Sequence, residues 1–259
     1  MKKTLLIAVA ALLGTMAAAQ QKGTVSVLSY QSQTIGEERT MRVWTPAGYE
    51  AGQDSLPVLY LIHGGGDDDT GWIMKGDADK ILDEYMAEGK MKPMVVVMPN
   101  GSIKRPNFLD EVPLFAKDMT TDIIPLIEKR FRVLRDQDHR AMAGLSMGGM
   151  ETLETMLLNP TLFGYAWVLS SSFAPGSDFH KEAERLNLSK NADTLNKGLR
   201  KLVFTQGGPQ DIAYKNGIGT RKEFDEAGVK YEYNEVEGGH SWKAWKQNLR
   251  DLLPLLFVR

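Results

Sequence analysis

No cysteine occurs in the 259 residues. That excludes a disulfide framework, a thiolate nucleophile, a cysteine metal site and a lipid-modified N-terminal cysteine. Charge of one sign is lacking too: 31 Lys and Arg stand against 33 Asp and Glu, a net of -2 spread along the chain. The footprint of a nucleic-acid or membrane-surface binder is therefore missing. There is no internal repeat, no low-complexity tract, and no Pro-, Gly- or Ser-rich linker long enough to separate independent cores. The apolar run Leu5 to Leu13 is well short of the ~20 residues a membrane span needs. It follows Lys2-Lys3 and precedes Ala17-Ala18-Ala19, the order of a signal peptide. The expectation is export of a bacterial type, to periplasm or medium, with residues 1–19 removed before Gln20 and no membrane span afterwards. Residues 20–259 are then expected to form one domain.

Within that domain, Thr24 to Tyr30 and Arg39 to Thr45 are short, rich in Val, Thr and aromatics, and read as an antiparallel pair. From Leu56 the pattern changes. Apolar strand runs at Val58–Ile62, Met94–Met98, Arg140–Leu145, Gly164–Leu169, Lys201–Thr205 and Lys230–Val236 alternate with helical stretches at Asp77–Gly89, Met119–Phe131, Met147–Leu158, Thr220–Ala227 and Ser241–Leu253. Near-continuous apolar strands separated by helices predict an α/β fold: a mainly parallel sheet covered on both faces, with the first two strands as its antiparallel edge. Pro125 predicts a kink in its helix. Ser171 to Arg200 breaks the alternation and reads as a helical insertion over one rim.

Gly144-Leu145-Ser146-Met147-Gly148 sits between a predicted strand and a predicted helix. A serine on such a sharp turn is lifted clear of the backbone at the C-terminal edge of the sheet, the nucleophile elbow of the α/β-hydrolase fold. It needs a base, and of the four histidines His240 is the best placed, in the Gly-rich turn Glu237-Gly238-Gly239-His240 after the last strand. His139 precedes the nucleophile's strand, at the opposite edge; His180 lies in the insertion; His63 closes a strand. The carboxylate that orients the base is Asp211, after Gly207-Gly208-Pro209-Gln210, with Glu237 and Asp178 as alternatives. His63-Gly64-Gly65-Gly66 reads as a glycine loop offering backbone N–H groups to an oxyanion, with Gly65 and Met147 as donors. Asp67, Asp68 and Asp69 read as a solvated loop tip. Trp72, Phe108 and Phe173 follow strand ends and are candidates to line an acyl pocket; Trp242 and Trp245 read as packing that fixes the His240 loop. No metal and no cofactor is implied.

Val58-Leu59-Tyr60-Leu61-Ile62-His63-Gly64, Met98-Pro99-Asn100-Gly101, Asp122-Ile123-Ile124-Pro125-Leu126-Ile127-Glu128, the run His139 to Gly149 and Gly238-Gly239-His240-Ser241-Trp242 together resemble the feruloyl and acetyl esterases of the first carbohydrate esterase family, a group within the esterase D superfamily. The resemblance spans nearly all of the chain after residue 19. It implies a triad of Ser146, Asp211 and His240 and a small-molecule or oligosaccharide ester as partner: a hydroxycinnamoyl or acetyl ester on plant cell-wall xylan. The same triad would serve an acyltransferase or a siderophore-ester hydrolase, and a noncatalytic glycan-binding protein on this scaffold is the reading from another class.

Overall fold

The computed structural model describes residues 22–106 and 110–258, so the leader expected over residues 1–19 lies outside them. Within these bounds the chain runs β1 (Thr24–Gln31), β2 (Glu38–Thr45), β3 (Val58–Ile62), α1 (Gly71–Met74), α2 (Ala78–Ala87), β4 (Val95–Pro99), α3 (Glu111–Asp118), α4 (Ile124–Arg130), β5 (Arg140–Leu145) and α5 (Met147–Leu158). It continues through β6 (Tyr165–Leu169), α6 (Phe179–Arg185), α7 (Leu188–Gly198), β7 (Lys201–Gln206), α8 (Tyr214–Ala227), β8 (Glu232–Glu235) and α9 (Trp242–Leu252). Among the described residues the strands form one eight-stranded sheet in the order β1-β2-β4-β3-β5-β6-β7-β8. β1 and β2 are antiparallel to each other, β2 is antiparallel to β4, and the remaining pairs are parallel. This is the α/β-hydrolase arrangement the strand pattern implied, with its antiparallel edge.

Alternation along the strands divides the core. Leu59, Leu61, Val96, Ala143, Leu145, Trp167 and Leu169 pack on one face beneath α2 and α9. Tyr60, Ile62, Val97 and Met142 point to the other, under α3 and α4, and Val168 and Phe204 extend that face under α5 to α8. β3 to β6 are buried along their whole length, so every residue faces a covering layer, which is why they read as unbroken apolar runs. Among the described residues no helix is long and apolar enough to cross a membrane.

Two helical segments depart from the sequence pattern. The helix expected over Met119–Phe131 begins earlier, at Glu111, and carries a π-helical turn at Met119–Ile123 before Pro125 enters the first turn of α4. Pro113 looks like a breaker but stands in the first turn of α3, where an N–H has no intrahelical acceptor to lose. The π turn thus interrupts the regular helix just ahead of Pro125, where the sequence predicts a kink. Helix α8 begins at Tyr214, six residues before the expected Thr220, and includes Gly217, where a Cβ would lie 2.2 Å from Gln206 Nε2. The insertion is helical as expected, forming α6 and α7, and covers the α5 and α8 side of the sheet.

Candidate active site

Register brings the chemistry to one edge. Ile62 pairs with Gly144, Leu145 with Leu169, and Leu169 with Thr205. The residues after these strands, His63, Ser146, Ser170 and Gly207, therefore emerge side by side at the C-terminal ends. Ser146 adopts φ 53° and ψ -114°, a left-handed backbone that costs a side-chain-bearing residue ~1–3 kcal/mol. The turn closes only because its flanks are glycine: a Cβ on Gly144 would stand 2.0 Å from the Gly148 carbonyl oxygen, and one on Gly148 2.5 Å from that of His63. The Ser146 amide donates to Leu169 O (2.9 Å), and the Ser146 carbonyl accepts from Ser171 Oγ (2.6 Å) and the Met150 amide (3.2 Å).

Ser146 Oγ lies 2.9 Å from His240 Nε2, and His240 Nδ1 lies 2.8 Å from Asp211 Oδ1. The Asp211 side chain is wholly enclosed. Its Oδ1 also accepts from the Ala213 amide (2.9 Å), and its Oδ2 from the Gly207 amide (2.9 Å). Burial pushes this carboxyl up, but hydrogen bonding, that from His240 foremost, outweighs it and holds it at about 2. It is ionised at neutral pH. With Asp211 accepting the Nδ1 proton, Nε2 faces the serine as an acceptor. Beneath the imidazole, Trp245 meets His240 edge-on at 5.1 Å, Trp242 meets Trp245 at 5.3 Å, and Trp72 meets Trp242 at 5.2 Å. Trp245 thus packs against His240 as expected, while Trp242 stands behind it between Trp245 and Trp72. Of the alternative carboxylates, Asp178 caps α6 by accepting from the His180 and Lys181 amides.

Opposite the imidazole, the glycine loop lies against the start of α5. A Cβ on Gly65 would be 3.9 Å from Met147 Cβ. Met147 is the first residue of α5, where the amide has no intrahelical acceptor and the helix dipole is positive. A polar cleft of about 460 Å³ opens beside both residues, lined also by Asn100, Ser102 and Lys104. His63 holds the loop from within. It is 1% exposed; Gly101 N–H donates to its Nε2 (2.9 Å), so Nδ1 carries the proton and donates to Gly64 O (2.8 Å). Burial lowers its pKa, and the ring stays neutral. The Asp67 to Asp69 segment is more than a solvated tip: Asp69 is buried and paired with Arg42 Nε at 3.0 Å, tying the loop to β2.

The expected acyl-pocket residues separate. Trp72 is 1% exposed in the core against Trp242, so it has no surface to offer a substrate and its expected role is withdrawn. Phe108 lies outside the described residues. Phe173 lines a cavity of about 180 Å³ between α3, α5 and α6, with Val112, Met150, Leu153 and Leu186 as further apolar walls and Arg185 and Glu154 among its polar ones. Arg185 Nη1 donates to the buried Glu154 (2.7 Å), and its Nε to Glu182 (3.1 Å). Two wall elements of this cavity are anchored on the nucleophile, since Met150 and Ser171, the neighbour of wall residue Ser172, both bond the Ser146 carbonyl. Sequence reasoning missed Met150 and Ser171. The run Ser170-Ser171-Ser172 directly after β6 was the available signal.

A family model described as "Putative esterase" matches residues 32–256. An endo-1,4-beta-xylanase/feruloyl esterase of Xylanibacter ruminicola is 39% identical over 156 residues, covering 57% of this chain and 22% of that protein. The chain thus spans about a fifth of that relative's length. Among solved structures, a ferulic acid esterase superposes with a TM-score of 0.78 at 25% identity, covering 91% of this chain and 98% of the other. The feruloyl esterase module from Clostridium thermocellum, complexed with sinapinate, has the same fold: TM-score 0.79, 21% identity, and coverage of 92% and 89%.

Proposed function

Because the chain belongs to this esterase family of serine hydrolases, we propose that it cleaves hydroxycinnamoyl or acetyl esters of xylan or xylo-oligosaccharides through an acyl-enzyme on Ser146. The observation that carries the reading is the unbroken relay from Ser146 Oγ to His240 Nε2 (2.9 Å) and from His240 Nδ1 to Asp211 (2.8 Å). As Oγ attacks the ester carbonyl, His240 Nε2 takes its proton, and the buried Asp211 carboxylate stabilises the imidazolium and fixes its tautomer. The Gly65 and Met147 amides receive the tetrahedral oxyanion. His240 then returns the proton to the departing sugar alcohol. Water, deprotonated by the same nitrogen, attacks the acyl-enzyme and releases the acid.

We take the cavity between α3, α5 and α6, two of whose wall segments bond the Ser146 carbonyl, as the acyl pocket, and on that reading it supports an aromatic group. At about 180 Å³ it slightly exceeds the ~150 Å³ apolar cavity that admits a benzene ring, whereas acetyl would leave most of it empty. Glu154 and Glu182 outnumber Arg185 in its wall, which favours a neutral ring over the polyanionic acyl group of a siderophore ester. The relative that bears both xylanase and feruloyl esterase in its name supports xylan as the alcohol side. The Lys2 to Ala19 pattern supports export, so that the substrate is met in periplasm or medium. Side-by-side rates on methyl ferulate, feruloylated xylo-oligosaccharide and nitrophenyl acetate test the proposal. Expected is a higher kcat/KM on the feruloyl esters, with Ser146→Ala abolishing every activity. Turnover that survives Ser146→Ala, or no turnover of either acyl type, refutes it; acetyl strongly preferred over feruloyl refutes the aromatic acyl group.

A further inference from the structure

Glu151 lies on α5, five residues beyond Ser146. It is fully enclosed, and neither of its carboxyl oxygens has a hydrogen-bond partner. Buried polar groups are nearly always paired, and a lone buried carboxyl sheds its charge instead of carrying it. Burial accordingly raises the Glu151 pKa well above the carboxylate range, with Arg39 opposing and Glu111 reinforcing the shift.

The surroundings give this neutral acid a place in the site. A Cβ on Gly101 would lie 2.6 Å from Glu151 Oε2 and 3.1 Å from Met147 Cε, so the carboxyl, the Met147 side chain and the Asn100–Ser102 turn converge. That turn holds the glycine loop: Gly101 N–H donates to His63 Nε2 (2.9 Å), while the His63 carbonyl accepts the Gly148 amide (3.1 Å). Arg39, from β2, donates to the Asn100 carbonyl and to Ser102 O (2.9 Å), with its Nε unpartnered. The charged and titratable groups around Glu151 are thus Arg39 from β2, Glu111 from α3 and, across the Gly101 turn, His63 after β3. Glu111 is held by the Ile103 amide (2.8 Å) and the Arg105 amide (3.2 Å), and Asp118, at the end of α3, is taken up by Tyr30 (2.6 Å) and Ser32 (2.5 Å).

We propose that Glu151, un-ionised, is a positioning residue for the oxyanion side of the site, fixing Met147 against the Gly101 turn, and that its ionisation opposes the reaction. The proposal rests on the serine-esterase reading above. Glu151 touches no reacting atom; it stands one helical turn from the Met147 amide. A neutral group there leaves that amide's dipole to the oxyanion, whereas a carboxylate, fully buried at Glu151, would set negative charge against negative charge.

The test is the pH dependence of kcat and KM for nitrophenyl acetate, from about pH 5 to about pH 10, in wild type, Glu151→Gln and Glu151→Leu. Active sites are titrated with a fluorophosphonate and melting is followed at each pH. Wild type should lose at least about threefold in kcat on the alkaline side while still folded, and Glu151→Gln, isosteric and unable to ionise, should hold its plateau there. Glu151→Leu should lower kcat at neutral pH by about tenfold with KM little moved, a loss that the glutamine variant does not share. Superimposable profiles for wild type and Glu151→Gln, with esters still cleaved, overturn the role of Glu151 alone. A wild-type chain inactive on every ester overturns the serine-esterase reading on which it rests.

Discussion

Replacing Asp211 by Asn removes one charge and almost no volume, and the bonds around the carboxylate dictate the outcome. Oδ1 accepts from His240 Nδ1 and the Ala213 amide, and Oδ2 accepts from the Gly207 amide. An amide supplies one oxygen and one NH2 group for these three donors. If its oxygen takes the Oδ1 place, the NH2 confronts the Gly207 N–H, a buried donor conflict costing about 1–3 kcal/mol. His240 then keeps its tautomer but loses the charge that stabilises the imidazolium. If the amide is reversed, the NH2 faces His240 and Ala213, and the imidazole relieves half of the conflict by moving its proton to Nε2. That nitrogen can then no longer accept the proton of Ser146. Either arrangement damages kcat and leaves substrate contacts alone. We expect kcat to fall about 10³- to 10⁴-fold, about 4–5.5 kcal/mol of barrier, with KM within about threefold of wild type. Nitrophenyl acetate hydrolysis, normalised to sites labelled by fluorophosphonate and paired with a melting curve, measures it. A folded Asp211→Asn protein that keeps kcat within about tenfold of wild type would refute the relay.

The same carboxylate makes a prediction for stability. Asp211 is held at about 2 against an ordinary 3.8, so its charge contributes roughly 2 kcal/mol above about pH 4, and that contribution is lost as pH falls from about 4 towards about 2. Urea unfolding of wild type and Asp211→Asn should therefore converge over that window; a gap constant with pH would contradict the assignment. Gly207→Ala should displace the base: its Cβ would come within 2.1 Å of the Gly239 carbonyl oxygen, the residue before His240. Expected is a loss of kcat of about 100-fold, measured on the same ester, and an unaltered kcat would show that the loop has room to move.

Segments whose pattern follows from local sterics or burial were legible in the sequence, and those set by distant partners were not. β3 to β6 read as strands because both faces are covered, and Ser146 read as an elbow because nothing but glycine fits at Gly144 and Gly148. His240 and Asp211 were legible from topology, since both follow strands that end at the same edge as β5. By contrast, Trp72 follows a strand end as a pocket residue might, yet turns into the core against Trp242 of α9, far along the chain. The early starts of α3 and α8 were hidden by Pro113 and Gly217, residues that break helices on average and here sit in a first turn and against a close neighbour. Glu151 carries no signal of its own in the sequence. Only the packing of α5 against α3 and the Gly101 turn reveals it as a buried acid.

The elbow also explains how a strained residue stays in place. The backbone of Ser146 costs ~1–3 kcal/mol, and left alone it would relax and carry Oγ away from His240. Three bonds oppose that motion: Ser146 N–H to Leu169 O on β6, Ser171 Oγ to Ser146 O, and Gly148 N–H to His63 O after β3. Each net bond contributes about 1 kcal/mol, enough together to offset the strain; two come from the end of β6 and one from the end of β3. The nucleophile is therefore fixed by the strand ends on both sides of β5. His240, on a glycine-flanked loop, is held by aromatic contacts and one buried carboxylate. Of the relay's two halves the imidazole is the one free to adjust, and it is the half that must take a proton from Ser146 and return it to the departing alcohol.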